Sequence, residues 1–369
     1  MKQKTETLFA VTAPGLESVC AVELAALGMD EIQPEAGGVL FRGGLRELYL
    51  ANLWLRTASR VLVRFGEFGC RDFPGLYRKA VRLPWGRYLK PGTRLRIRAT
   101  CRRSRLGHTG RIAETLEQAM EKALGAATQT GCDKEQLLLV TVEDDLCRLS
   151  LDSSGALLHR RGYRQDIGAA PLRETLAAGI LMLLGWRGET PLFDPMCGSG
   201  TFLVEGALLA LNRPPGAART FAFMDWPRYR PGLWQALLME AQRQGREACP
   251  VLAGGDRDPA VLEAARRNAD RAGVGHCLIL RQAEAGDWIP SVDRPGLAIC
   301  NPPYGTRLGR GEEKAIGRTL DRLYEKIPRP WQRVFLAADP GPADAMVLPL
   351  RRLAALQNGG IRAALLEVT

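Results

Sequence analysis

The stretch PLFDPMCGSGTFLVEGALLAL, residues 191–211, decides how the chain is read. A short apolar run ends at Asp194. The segment Pro195-Met196-Cys197-Gly198-Ser199-Gly200-Thr201 is small and glycine-rich, and apolar residues at helical spacing follow from Phe202. This is a buried strand, a tight loop and a helix, in which missing side chains let backbone approach a ligand closely. A glycine loop alone could serve a dinucleotide or only a turn. The dinucleotide fingerprint needs a third glycine where Leu203 stands and an acid about 20 residues on, whereas Asp256 follows only after a long insertion.

Working outward, the same unit recurs. VLAGGDRD (251–258) precedes PAVLEAARRNADRAG (259–273), and LAICNPPYG (297–305) and RVFLAADP (333–340) are further short apolar strands. Strands alternating with helices predict a parallel sheet flanked by helices, with ligands beyond the strand C-termini. RRLAALQNGGIRAALLEV (351–368) reads as two strands joined at Asn358-Gly359. Asp256, followed by Arg257, offers a carboxylate to ribose hydroxyls, and Asp258 suits a helix N-cap. Ala283-Glu284 follows the strand CLILRQ, where an acceptor could meet an adenine amino group. The most specific element is Asn301-Pro302-Pro303-Tyr304. Two prolines fix the backbone and leave carbonyls without neighbouring amide donors. The Asn oxygen and a proline carbonyl can hold a planar amino group while Tyr304 stacks on the base. This suits an exocyclic nitrogen whose lone pair is delocalised into a ring until its hydrogens are held. Cys197 is expected to pack beside the ligand and not to act as a nucleophile.

Composition bounds the rest. The 369 residues suffice for two or three domains, and 46% apolar with 25% charged residues is the usage of a globular protein. No apolar run is long enough to cross a bilayer and MKQKTETLFA lacks a signal sequence, so a cytoplasmic address is expected. The nine cysteines form no Cys-x-x-Cys pair, so no metal is expected, and the three histidines lie in separate segments. The formal charge of +11 is unevenly spread: residues 60–111 hold 15 Lys or Arg against Glu67 and Asp72, a local +13 that leaves the remainder at −2. Such confinement fits a surface that tracks phosphates. Residues 7–60 read as strand, helix, strand, helix. In 61–155, Arg94, Arg96 and Arg98 alternate with Leu95, Ile97 and Ala99 on a strand, and a helix over 111–124 takes Thr109 as N-cap. The candidate RNA contacts are these arginines together with Arg102, Arg103, Arg105, His108, Arg160, Arg161 and Arg164. An Arg-, Gly- and Pro-rich linker, 156–175, separates them from the α/β domain at 176–369.

DPMCGSGTFLVEGAL, GGDRDPAVLEAARRNADRAGV and NPPYGTRLG together resemble the class I methyltransferases with an Asn-Pro-Pro-Tyr motif, in particular the bacterial 23S rRNA guanine-N2 methyltransferases. LHRRGYR with APLRETLAAGIL is similar to the segment that joins their THUMP domain to the catalytic domain, and NRPPGAARTFAFMDWP to their insertion. The resemblance implies a Rossmann-like methyltransferase domain behind an α+β RNA-binding region: a ferredoxin-like unit (1–60) and a THUMP domain (61–155). It also implies S-adenosylmethionine as cofactor, held by Asp194, Pro195, Cys197, Gly198, Ser199, Gly200, Thr201, Asp256, Arg257, Ala283, Glu284 and Asn301, and a target base held by Asn301, Pro302, Pro303 and Tyr304. Glu284 stands where the family more often has Asp. The expected partner is structured RNA, rRNA first and tRNA second. Adenine N6 is the alternative target, and a non-catalytic ribosome-assembly factor is the alternative of another class.

Overall fold

The computed structural model describes residues 5–125, 135–165, 172–303, 312–338 and 341–369. The chain first runs β1 (Glu6–Thr12), α1 (Glu17–Ala26), β2 (Asp30–Glu35), β3 (Gly38–Gly43), α2 (Leu45–Trp54) and β4 (Ala58–Gly69). It continues through α3 (Phe73–Ala80), β5 (Arg94–Arg102), α4 (Thr109–Leu124), β6 (Glu135–Glu143) and β7 (Leu146–Asp152). Their strands build one seven-stranded sheet, ordered β2-β3-β1-β4-β7-β6-β5. The division expected at 60/61 falls inside β4, which pairs with β1 on one side and β7 on the other. β2, absent from the sequence reading, is an almost wholly exposed edge strand with Pro34 in it and no apolar alternation to announce it. α4 begins at Thr109 and not at 111. Its N-cap is His108, whose Nδ1 accepts from the Arg111 amide at 3.2 Å, which corrects the expectation of Thr109 in that role.

The second half contains α5 (Glu174–Leu183), β8 (Leu192–Asp194), α6 (Thr201–Ala210), α7 (Pro231–Arg243), β9 (Leu252–Asp256), α8 (Pro259–Arg271) and β10 (Leu278–Gln282). It ends with β11 (Leu297–Cys300), α9 (Glu312–Lys326), β12 (Gln332–Ala338), β13 (Leu350–Asn358) and β14 (Ile361–Val368). The sheet order is β10-β9-β8-β11-β12-β14-β13, parallel except for the final hairpin. Asn358 pairs with Ile361 across Gly359-Gly360, both at positive φ, which a two-residue hairpin loop requires. From β8 the chain moves outward to β9 and β10, then returns to the other side of β8 as β11. A crevice opens between β8 and β11 where the winding reverses.

The two halves exchange parts of their cores. Leu16 and Val19 of the N-terminal half are buried in the catalytic core, and a Cβ added at Gly179 of α5 would lie 2.6 Å from Leu16 Cδ1. Conversely, Phe221, Phe223, Trp226, Trp234 and Leu237, from the insertion and α7, are buried in the N-terminal core. Phe223 stacks on Tyr49 with ring centroids 4.4 Å apart, and Trp234 meets Tyr49 edge-on at 6.0 Å. Such pairs contribute about 0.5–1.5 kcal/mol each beyond area burial.

Candidate active site

Strand register aligns the four loops. Gly254 on β9 is level with Asp194 at the end of β8, and Ala298 of β11 with Phe193. Asp256 therefore lies two residues past Asp194, level with Gln282 of β10. The Ala283 amide donates to the Asp256 carbonyl at 3.1 Å, which leads the Ala283-Glu284 turn along the same edge. Asn301 follows β11 directly. The glycine loop and the Asn-Pro-Pro segment thus follow neighbouring strands on either side of the crevice.

The glycine loop is tied down from three sides. The Cys197 amide donates to Gly255 O at 2.9 Å, and the Gly198 amide donates to Asp256 Oδ2 at 2.9 Å. Asn268 Nδ2 of α8 donates to Ser199 O at 3.2 Å. Gly198 and Gly200 sit at φ +52° and +82°, where side chains are disfavoured. A Cβ at Gly200 would meet Ala265 Cβ at 3.1 Å, whereas one at Gly198 would meet nothing within 4 Å, so the loop packs on α8 behind and opens in front. Asp256 Oδ1 also accepts from the Asp258 amide at 3.0 Å, and Asp258 caps α8 by accepting from Ala260 N at 2.8 Å. Arg257 and Glu284 are both exposed.

Asp194 is buried, and its Oδ1 accepts from the Met196 amide at 3.2 Å. Burial, then the charge of Asp256, holds its carboxyl well above the usual carboxylate range. Burial likewise pushes the Cys197 thiol far up, so it packs as a small apolar group and does not ionise. Among the described residues no Lys or Arg forms an ion pair with Asp194 or Asp256. Asp256, half-buried at the strand end beside the open loop, offers a carboxylate to the hydroxyls of a ligand, whereas Asp194 is buried. Across the crevice, Asn301 Oδ1 is buried with no hydrogen-bond partner among the described residues, next to buried Pro302. A buried acceptor left unsatisfied costs about 1–3 kcal/mol, so it marks a place for a donor. Pro303 is half-buried, and Tyr304 lies outside the described residues.

The expected RNA contacts divide. Arg94, Arg96, Arg98 and Arg102 point outward from β5 while the alternate residues turn inward. Arg96 pairs with Glu135 at 3.0 Å, and Arg103 with Glu143 and Asp144 at 2.9 and 2.8 Å. Arg105, His108 and Arg160 are exposed. Arg161 and Arg164 correct the expectation. Arg161 is buried, donates to Arg56 O and Leu158 O, and lies 3.5 Å from Glu205. Arg164 is half-buried, pairs with Glu174 at 2.7 Å and donates to Leu172 O. The Arg161 guanidinium satisfies a carbonyl of the first half and faces an acid of the second, while Arg164 serves partners a few residues away. They belong to a polar seam in which Arg56 donates to Leu208 O and Arg213 O, Tyr163 donates to Glu205 at 2.9 Å, and Arg271 donates to Tyr163 O. Asn268, which the sequence reading missed, had one signal: it falls on the apolar stripe of α8 with Leu262, Ala265 and Ala269.

A doubly wound sheet whose glycine loop, strand-end acid and Asn-Pro-Pro segment converge at the switch point defines a class I S-adenosylmethionine-dependent methyltransferase. Residues 161–346 match the family model for the RMKL-like methyltransferase domain, and residues 7–62 match that for the RlmL ferredoxin-like domain. The chain belongs to the RMKL-like methyltransferase family, with that catalytic domain fused to the ferredoxin-like one. A relative from Synechocystis sp., bearing the provisional name of an RNA methyltransferase, is 35% identical over 98% of this chain and 96% of its own length. The chain spans about half the length of its relatives named ribosomal RNA large subunit methyltransferase K/L. That from Methylococcus capsulatus is 35% identical over 98% of this chain and 51% of the relative. Among solved structures, SMU.472, a provisionally assigned methyltransferase complexed with SAH, has a TM-score of 0.86 at 30% identity, covering 100% of this chain and 98% of its own. A Listeria monocytogenes protein, described as a predicted N6-adenine-specific DNA methylase, has a TM-score of 0.88 at 31% identity over 98% and 96%. Among the described residues no helix is long and apolar enough to cross a membrane.

Proposed function

We propose that this protein methylates the exocyclic N2 amine of a guanine in 23S rRNA, and that the buried, partnerless Asn301 Oδ1 is the acceptor that grips that amine. In this reading residues 61–155 form a THUMP domain that holds structured RNA through Arg94, Arg96, Arg98, Arg102, Arg103, Arg105, His108 and Arg160. Residues 156–175 join it to the catalytic domain at 176–369. Bound S-adenosylmethionine supplies an electrophilic methyl group on a sulfonium. The chain's own residues do the positioning: Asp256 takes the ribose hydroxyls, Ala283 and Glu284 face the adenine, and the loop from Asp194 to Thr201 cradles the remainder, with Pro195 and Arg257 at its rim. The base leaves its stack to enter the crevice, as base-modifying enzymes require. Asn301 Oδ1 and the Pro302 carbonyl accept hydrogen bonds from its amino group, which draws the nitrogen lone pair out of conjugation and stabilises the positive charge growing there. Pro303 stiffens the rim, Tyr304 stacks on the base, and the released proton passes to water. Support comes from the orphan acceptor, the local +13 charge of residues 60–111, and the rRNA named in the K/L relatives.

Asn301→Ala is expected to keep binding S-adenosylhomocysteine and to lower methyl transfer to 23S rRNA by about 100-fold or more. An undiminished rate overturns the reading. Adenine N6 is the second reading, favoured by the adenine specificity ascribed to the Listeria protein, since the same two oxygens hold any planar amine. Mass spectrometry of nucleosides from the methylated RNA separates them: N2-methylguanosine supports the first, N6-methyladenosine the second.

A further inference from the structure

We infer that Arg271 is a positioning residue for S-adenosylmethionine: it fixes the Asn268 amide that holds the glycine loop, and it is itself held by Tyr163, in the segment joining the two halves. This rests on the reading of residues 194–201 as the cofactor loop. The contacts run unbroken from that segment to the loop. Arg271 Nε donates to Tyr163 O at 2.7 Å, Arg271 Nη2 donates to Asn268 Oδ1 at 2.5 Å, and Asn268 Nδ2 donates to Ser199 O at 3.2 Å.

The order of donors and acceptors gives Arg271 its role. A carboxamide accepts through its oxygen and donates through its nitrogen, and turning it over exchanges the two. A guanidinium has only donors, so Asn268 must present Oδ1 to Arg271, which leaves Nδ2 to face Ser199 O. Asn268 is fully buried, so protein contacts and not bulk solvent set its orientation. Without Arg271 the reversed amide, its oxygen set against the Ser199 carbonyl, gains population and the loop loses its tie. Ser199 lies between Gly198 and Gly200, both at positive φ and without side chains to restrain the backbone. The Tyr163 end is equally fixed. Its ring is buried in the catalytic core, and its hydroxyl donates to Glu205 Oε1 at 2.9 Å. Glu205 stands one turn along α6 from Thr201, where the loop ends. Tyr163 therefore touches the helix after the loop with its side chain and the helix behind the loop, α8, with its carbonyl. The segment LHRRGYR, 158–164, thus supports the site of the methyl donor as well as joining the halves.

The test measures binding of S-adenosylhomocysteine to the full chain by calorimetry. Arg271→Ala is expected to weaken it about five-fold, as the competent orientation of Asn268 falls to about one-fifth of the population. Arg271 is exposed and alanine suits a helix, so the variant folds, and its urea midpoint is recorded alongside. Combining Arg271→Ala with Asn268→Ala separates action through Asn268 from independent effects. The pair should bind no more weakly than Asn268→Ala alone, about ten-fold below the wild type, whereas losses that multiply to about fifty-fold would overturn the proposal. In methyl transfer to 23S rRNA, Arg271→Ala should raise the KM for S-adenosylmethionine about five-fold and keep kcat within about two-fold. A lowered kcat at unchanged KM would count equally against it. Undiminished binding in Arg271→Ala, with Asp256→Ala binding more weakly, would remove Arg271 from its role and leave the loop in place. Undiminished binding in both Asp256→Ala and Asn268→Ala would overturn the cofactor loop and the role of Arg271 with it.

Discussion

Asn268 shows what a single side chain does at this site. It is fully buried on α8 and donates to Ser199 O, so the loop's backbone is held by a residue nearly 70 positions later. Asn268→Ala leaves that carbonyl without its donor at a cost of about 1–3 kcal/mol. The expected result is weaker binding of S-adenosylhomocysteine by about ten-fold in calorimetry, with RNA affinity unchanged. His159 governs a different property. Burial, and then Arg173, Arg160, Arg161 and Arg164, hold its imidazole down to about 4. The unfolded chain, with an ordinary value near 6.5, takes up the proton first. The histidine's contribution to stability is therefore complete above pH 6.5 and declines as pH falls toward 4. Partial exposure limits it to about 1–2 kcal/mol. Urea titrations between pH 7 and 4.5 should show a flatter decline for His159→Gln than for the wild type. Charges are where sequence reading was weakest at this scale. Arg94, Arg96 and Arg98 were legible from their alternation, but nothing local distinguished Arg160, which is exposed, from Arg161, which is buried. Only the fold brings Glu205 and the Arg56 carbonyl to Arg161.

Elements with strong local signals were readable and those lacking them were not. The strand, glycine loop and helix over 191–211 and the hairpin over 351–368 stand where their patterns put them, because loop chemistry and apolar periodicity agree there. β2 has no alternation, and α7 lay hidden in what read as an insertion. Strand–helix contact in the catalytic sheet is unusually close at Gly254 of β9. A Cβ there would lie 2.4 Å from Leu203 Cδ1 and 3.1 Å from Cys197 Sγ. Gly254→Ala is therefore expected to force Leu203 and Leu280 to repack and destabilise the protein by about 1–3 kcal/mol, measured as a lower denaturation midpoint.

For the molecule as a whole, the seam between the halves matters as much as either core. Arg56 is buried, and its Nη2 bonds Leu208 O and Arg213 O near the end of α6, while Glu23 accepts from the Arg56 and Thr57 amides. Burial, opposed by Glu205 and Glu23, lowers the guanidinium to about 10, still charged at neutral pH. Arg56→Ala would strand two carbonyls and unbalance the acids, costing about 3–5 kcal/mol. Faster cleavage by protease within 156–175 is the expected readout, and an unaltered digestion pattern would count against Arg56 holding the two halves together. The sequence reading did not reach this seam: its partners lie from 33 residues apart, as in Glu23 and Arg56, to 157, as in Arg56 and Arg213.

The exchanged aromatic residues also set a schedule for synthesis. A ribosome finishes residue 155 about 65 residues before it reaches Phe221 and Phe223. At ordinary elongation rates that gap lasts roughly 3–13 s. For that interval the nascent N-terminal half exposes Tyr49 and the apolar surface around it, which Phe223 and Trp234 later cover. A fragment ending at 155 would keep that surface open indefinitely and self-associate, so the first half of this chain reaches its native interior only after much of the second half has been translated.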